Sequence, residues 1–191
     1  MAEEAGQIIV DEELDAQAEA RRRLALAQIR QWGDPVLRMR AGEVADFDDD
    51  LKRLTSRMTG IMRDAHGVGL AGNQVGVIRR VFVFETEEHP VRAVVNPVIV
   101  DRSKDTETSD EGCLSLQGVL VPVERSVSVT VEGQDETGEA LRLELDGLAA
   151  RVAQHEMDHL DGVLILDRTD PESRRTALGT LRPEPLLSDI E

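Results

Sequence analysis

The chain has 191 residues with 38 Asp and Glu against 22 Lys and Arg, and its net charge of −16 excludes a phosphate-binding glove and disfavours an anionic membrane, since both need a local excess of cations. Apolar residues make up 40 % with three Phe, one Trp and no Tyr, so a single domain with a core of Leu, Val, Ile and Ala is expected. No apolar run approaches the ~20 residues of a membrane span, Met1-Ala2-Glu3-Glu4 lacks the basic start and apolar stretch of a secretion signal, and Cys113, the one cysteine, has no disulfide partner, so a reducing cytoplasm is expected.

Asp11 to Trp32 reads as a charged helix with Leu14, Ala18, Leu24 and Ile29 at uneven spacing, and residues 1–28 are taken as an N-terminal extension, helical or partly disordered. The functional domain is placed at 29–182 and a tail at 183–191. Beyond Asp46 the pattern sharpens: Leu51, Leu54, Met58, Ile61, Met62 and Ala65 form one helical stripe that stops before Gly67. Val77–Phe84 and Ala93–Val100 are rich in β-branched residues and read as strands. A hairpin follows. Val127, Val129 and Val131 alternate with polar residues, Gly133 to Gly138 supplies the turn, and Leu141, Leu143 and Leu145 alternate on the return. A second helix is expected from Leu148 to Leu160, ending at Gly162, then a short strand over Val163–Leu166 and a polar helix opened by Pro171. Helices and antiparallel strands without a regular βαβ rhythm give an α+β class.

Within the second helix lies Gln154-His155-Glu156-Met157-Asp158-His159, an H-E-x-x-H pattern. Residues i and i+4 share a helix face, so both imidazoles can reach one metal ion while Glu156 stands beside a water on it. The bland alternative is a solvated helix that happens to carry two histidines, and with only four His in the chain that coincidence is improbable. Two imidazoles leave an ion short of ligands. A metzincin would need His where Ile165 stands, and the thermolysin-like candidates Glu172 and Glu184 lie in polar terminal segments. Cys113, flanked by Gly112 between extended segments, is the better third ligand, and a thiolate with two imidazoles leaves a position for water. Alone it would read as a small buried hydrophobe. Gly67-Val68-Gly69-Leu70-Ala71-Gly72-Asn73-Gln74 holds three glycines in six residues, which lets backbone approach a ligand, although alone it would read as a flexible turn. His66 and His89 are read as surface residues.

Together, Gly67–Gln74, Glu111-Gly112-Cys113-Leu114-Ser115 and Gln154–Gly162 resemble, in this order, the three motifs of the peptide deformylases, over about Ile29 to Leu166. Two positions depart from the pattern. Gly72 stands where the family usually has alanine, which should loosen the loop while leaving Gln74 in place, and Gln117 stands where it commonly has proline, so the substrate rim should differ. The resemblance implies antiparallel sheets around a central helix that carries H-E-x-x-H. It also implies hydrolysis of the N-formyl group from the N-terminal methionine of new polypeptides, by water on a divalent ion held by Cys113, His155 and His159. Glu156 would move the proton, and the Leu114 N–H and the Gln74 amide would form the oxyanion hole. The Gly67, Val68, Gly69 and Leu70 backbone would pair with the extended peptide, with Val68 lining the methionine pocket. The donor set suits Zn, Fe, Co or Ni, and only the resemblance favours Fe(II).

The expected partner is an N-formylmethionyl peptide, with a monomeric cytoplasmic protein and no stable nucleic-acid or membrane binding. Arg21–Arg23 reads as a solvated helix face, with a transient ribosomal contact as its alternative. Two other functional readings stand beside the main one: a metallopeptidase using the same H-E-x-x-H, and a non-catalytic metal-binding homologue.

Overall fold

The computed structural model describes residues 16–181. The expected helical start at residues 11–15, the tail at 183–191 and Glu184 therefore lie outside the described residues. Helix α1 spans Ala16–Leu26 and stops earlier than the expected Trp32, because Arg30 N–H donates to the Gln74 carbonyl instead of continuing the helical ladder. A short 3-10 turn at Pro35–Arg38 follows, capped by Asp34. Helix α2, Asp49–Asp64, begins where the Asp48 carboxylate accepts from Leu51 N–H, and Asp49 and Asp50 complement the positive end of its dipole. It buries Leu51, Met58, Ile61 and Met62, the stripe read from the sequence. His66 then adopts a left-handed φ of 58°, and Gly67 N–H returns to the Met62 carbonyl, which turns the chain sharply toward the glycine loop.

Strands β1 (Gly69–Ala71), β2 (Val81–Phe84) and β3 (Arg92–Arg102) come next, then β4 (Thr106–Gly112), β5 (Leu120–Ser126), β6 (Ser128–Gln134) and β7 (Ala140–Asp146). The main sheet has the order β1-β2-β3-β6-β7, antiparallel throughout, while β4 and β5 form a separate two-stranded ribbon. Helix α3 (Gly147–Leu160), a 3-10 turn (Ile165–Asp167) and helix α4 (Pro171–Thr180) complete the fold.

Strand β2 shows how the layers form. Alternate residues of Val81-Phe82-Val83-Phe84 face opposite ways. Phe82 and Phe84 join Val94, Val131 and the α3 residues Ala149, Val152, Ala153 and Leu160, whereas Val81 and Val83 join Leu51, Met58 and Met62 of α2. The sheet is thus covered by α2 on one face and α3 on the other. A third cluster joins the ribbon residues Val121 and Val123 to Cys113, Leu116, Leu164 and Leu166. This is the expected α+β architecture, with the H-E-x-x-H helix at its centre.

Three local expectations need correction. Val77–Arg80 is not strand, because Val77 N–H closes a turn onto the Gly72 carbonyl and Arg80 N–H is taken by Gly42. Leu164–Leu166 is buried but its backbone winds into the 3-10 turn, where the Asp167 carboxylate accepts from Leu164 N–H. Strands β1, β4 and β5 are absent from the sequence reading, since three residues are too few for a period, Thr-Glu-Thr-Ser-Asp-Glu-Gly carries almost no apolar signal, and Pro122 stands within the short alternation of Val121 and Val123.

Candidate metal centre

His155 and His159 lie one turn apart on α3, with ring centroids 5.0 Å apart, and both are buried. Cys113, just beyond the end of β4, places its Sγ 3.3 Å from His159 Nε2. One ligand atom from each of Cys113, His155 and His159 lies within 4.8 Å of the others, and no other such group occurs among the described residues. Glu172, the alternative ligand, is exposed in the first turn of α4 and stands outside this group.

The donor set fits an ion by its chemistry. His155 Nδ1 bonds to Glu111 Oε2 at 3.0 Å, which leaves its Nε2 lone pair for the centre. Burial, with the field of His155 and Arg125, pushes His159 well below the ordinary imidazole range, toward the neutral form that binds metals. Burial opposes charge on His155, yet contact with Cys113 and Glu111 raises its proton affinity. Lone pairs crowded this closely compete for protons, and a cation relieves that competition.

Glu156 follows His155 on α3 and is buried. Its Oε2 is buried without a hydrogen-bond partner, and burial raises its pKa to about 7, against the opposing influence of His155. A carboxyl group balanced near neutrality can both take and release a proton. Gly69 makes room for it: a Cβ there would collide with Glu156 Oε1 and with the Val152 side chain. Gly67 is similarly constrained by Leu114, 2.7 Å from an added Cβ.

Gln74 reaches the residues on either side of Leu114. Ala71 N–H donates to Gln74 Oε1 at 2.9 Å, which fixes the amide orientation and turns Nε2 toward Ser115 Oγ at 3.2 Å and Cys113 Sγ at 3.7 Å. Leu114 follows Cys113 directly and is buried. Val68 and Leu70 are buried, and Gly69–Ala71 forms the outermost strand of the main sheet, so its far edge is not paired within that sheet. Gly72 corrects an expectation. A Cβ there would sit 2.8 Å from both the Val77 and Arg79 carbonyl oxygens, so glycine marks a tight approach rather than a loosened loop. His66 and His89 are half-buried rather than on the surface, and His89 bonds to Thr86.

Motif reading assigned no role to the shell beneath the ligands. Glu111 is fully buried and accepts two bonds from Arg125 and one from Arg151, besides its contact with His155. Burial works against its charge, but Arg125 and His155 outweigh burial and hold it well below the usual carboxylate range. Arg125 also donates to Asp158, which in turn accepts from Arg168. The signal was present in the sequence. Arg125 continues the inward alternation of Val121 and Val123, and Arg151 lies one turn before His155 within the apolar face of α3.

The profile of a family described as polypeptide deformylase matches residues 26–175. Peptide deformylase 1 of Corynebacterium glutamicum is 49 % identical over 162 residues, covering 83 % of this chain and 96 % of the relative. Peptide deformylase of Thermotoga maritima is 49 % identical over 147 residues, covering 77 % and 89 %. The crystal structure of peptide deformylase from Thermotoga maritima superposes with a TM-score of 0.73 at 48 % identity, over 75 % of this chain and 97 % of that one. The peptide deformylase from Synechococcus elongatus, in complex with actinonin, gives 0.77 at 36 % identity over 94 % of each chain.

Proposed function

The chain belongs to the peptide deformylase family, metal-dependent hydrolases that remove the N-formyl group from nascent polypeptides, and from that premise we propose which residues do each part of the work. The reaction consumes one water and yields formate and a free N-terminal methionine. The observation that carries this assignment is a buried thiol and two buried imidazoles converging within 4.8 Å, with a partnerless buried carboxylate oxygen on Glu156, the residue after the first imidazole.

Cys113, His155 and His159 are the ligands of one divalent ion, with Fe(II) favoured by family membership and Zn, Ni or Co compatible with the same donors. When bound, such an ion supplies Lewis acidity toward the formyl oxygen and lowers the pKa of a water. Glu156 takes the proton from the attacking water and delivers it to the departing amine. Leu114 N–H and Gln74 Nε2 donate to the formyl oxygen as it gains negative charge. Glu111 holds His155 in one tautomer, so the ring meets the centre with the same nitrogen at each turnover. The Gly67–Leu70 backbone holds the extended peptide at the free edge of β1, and Val68 lines the methionine pocket.

We assign the protein to the cytoplasm as a monomer; no helix among the described residues is long and apolar enough to cross a membrane. Arg21 and Arg23 are exposed on α1 and provide the surface for any transient ribosomal contact. The test is a formate-release assay on formyl-Met-Ala-Ser with anaerobically prepared protein of known metal content. Stoichiometric formate and free amine are expected. Cleavage of internal peptide bonds would make the chain a peptidase, and full metal content without turnover would make it a non-catalytic binder.

A further inference from the structure

The segment Ile29 to Trp32 touches both halves of the proposed oxyanion hole without belonging to either. Arg30 N–H donates to the Gln74 carbonyl at 2.7 Å, and two residues later Trp32 N–H donates to the Ser115 carbonyl at 2.8 Å. Between them the Gln31 side chain spends both hydrogens of its amide, on the carbonyls of Leu114 and Ile29, each at 3.1 Å. Its Oε1 accepts from Gln117 Nε2 at 3.0 Å. One strap thus spans the gap between the turn that carries Gln74 and the segment that carries Leu114.

Gln117 occupies a turn that glutamine does not stiffen. Val119 N–H returns to the Leu116 carbonyl at 3.2 Å and Gly118 has φ +74°, which makes Leu116–Val119 a type II turn with Gln117 at its second position. A proline there would restrict the backbone directly, whereas glutamine leaves it freer. The bond from Gln117 to Gln31 restrains the turn through a side chain instead.

We propose that Gln31 is a positioning residue for deformylation: through the Leu114 carbonyl, and backed by Gln117, it fixes the spacing between the Leu114 N–H and the Gln74 amide. The inference rests on the reading of those two groups as the oxyanion hole. Donors of this kind act on charge that develops only in the transition state, so loosening them lowers kcat and leaves KM nearly unchanged. A core residue would instead change stability.

The test measures kcat and KM on formyl-Met-Ala-Ser for the full-length holoenzyme, with amide exchange over residues 113–117. Gln31→Glu keeps the acceptor for Gln117 but turns an oxygen toward the two carbonyls, and Gln31→Leu removes both functions at similar size. Gln31 is half-buried, so both variants are expected to fold. Each should lose about fivefold to tenfold in kcat, the equivalent of about one hydrogen bond, with KM within about twofold and faster exchange at 113–117. Gln117→Ala should cost about threefold in the wild type and nothing further in the Gln31→Leu background, because its effect passes through Gln31. Unchanged kcat in both Gln31 variants, a rise in KM alone, or an equal cost of Gln117→Ala in both backgrounds would each overturn the proposal. A wild-type protein that releases no formate would instead overturn the deformylase reading beneath it.

Discussion

Helices α2 and α3 are nearly the same length, 16 and 14 residues, yet they solve opposite problems. On α2 Lys52, Arg53, Ser56 and Arg57 face water, and the one buried polar side chain, Thr55, bonds to the Lys52 carbonyl of its own helix, so polarity there reports little beyond orientation. On α3 every residue from Ala149 to Leu160 is buried, including Arg151, Gln154, His155, Glu156, Asp158 and His159. A buried polar group must find a partner or carry a desolvation cost. Most find one: Arg151 bonds to Glu111 and the Val123 carbonyl, Gln154 to the Ser126 backbone, and Asp158 to Arg125 and Arg168. Glu156 Oε2 and His159 Nδ1 do not. The same polarity that marks the outside of one helix marks the proposed chemistry of the other, and the unpartnered carboxylate oxygen belongs to Glu156, the proposed proton carrier.

Glu156→Gln breaks the comparison most sharply. The amide keeps size and shape but removes the proposed base, so kcat should fall by ~10² to ~10⁴ with metal content unchanged. Because the lost charge is buried and incompletely paired, the melting temperature should hold or rise. Steady-state kinetics and calorimetry on the same preparation check both halves. A wild-type rate would remove Glu156 from the proton path, and a lost ion would make it a ligand.

The converse substitution belongs on α2. Met58 is fully buried against the far face of the sheet, and Met58→Ala should cost about 2–5 kcal/mol of stability while the folded enzyme keeps its kcat. Denaturant unfolding alongside the rate at low temperature separates the two. A large loss of kcat without loss of stability would mean that α2 shapes the site.

Gly72→Ala lies between these cases. Overpacking against two carbonyl oxygens should destabilise by about 1–3 kcal/mol, and because Gly72 opens the turn that carries Gln74, kcat should fall with it. An alanine accepted with no change in either quantity would show that the turn relaxes.

How legible each helix was in the sequence follows from the same contrast. The stripe of α2 was readable because Leu51, Met58, Ile61 and Met62 are apolar and their neighbours are not. Helix α3 was readable for another reason, the chemical rarity of His155-Glu156-x-x-His159, and Cys113 followed from ligand counting. What escaped depends on contacts between segments distant in sequence. Glu111 was quoted only as part of a motif, and its partners Arg125 and Arg151 are 14 and 40 residues away. Gln31 bonds to Leu114 across 83 residues, and no local pattern sets such a residue apart from other surface polars. Strand β4 escaped because its polar run pairs with β5 as a ribbon rather than entering the main sheet.

The N-terminal region provides the smallest effect and a boundary for the comparison. Residues 1–28 carry none of the site residues, but Ala25 is buried among Leu51, Met58 and Met62, so α1 contributes a little to the α2 side and nothing directly to the α3 side. Removing Met1–Gln28 should therefore cost about 1 kcal/mol of stability, the scale of one or two buried methyl groups. It should leave kcat within about twofold, because the strap Ile29–Trp32 stays in the chain with its bonds to Gln74, Leu114 and Ser115. Extending the deletion through Trp32 removes those bonds, and if the strap sets the donor spacing the rate should drop at that step. Chemical denaturation and formate release on the two truncated proteins locate the step. A tenfold loss already at Gln28, with the protein folded, would show that α1 acts on the site and not only on the helix beside it.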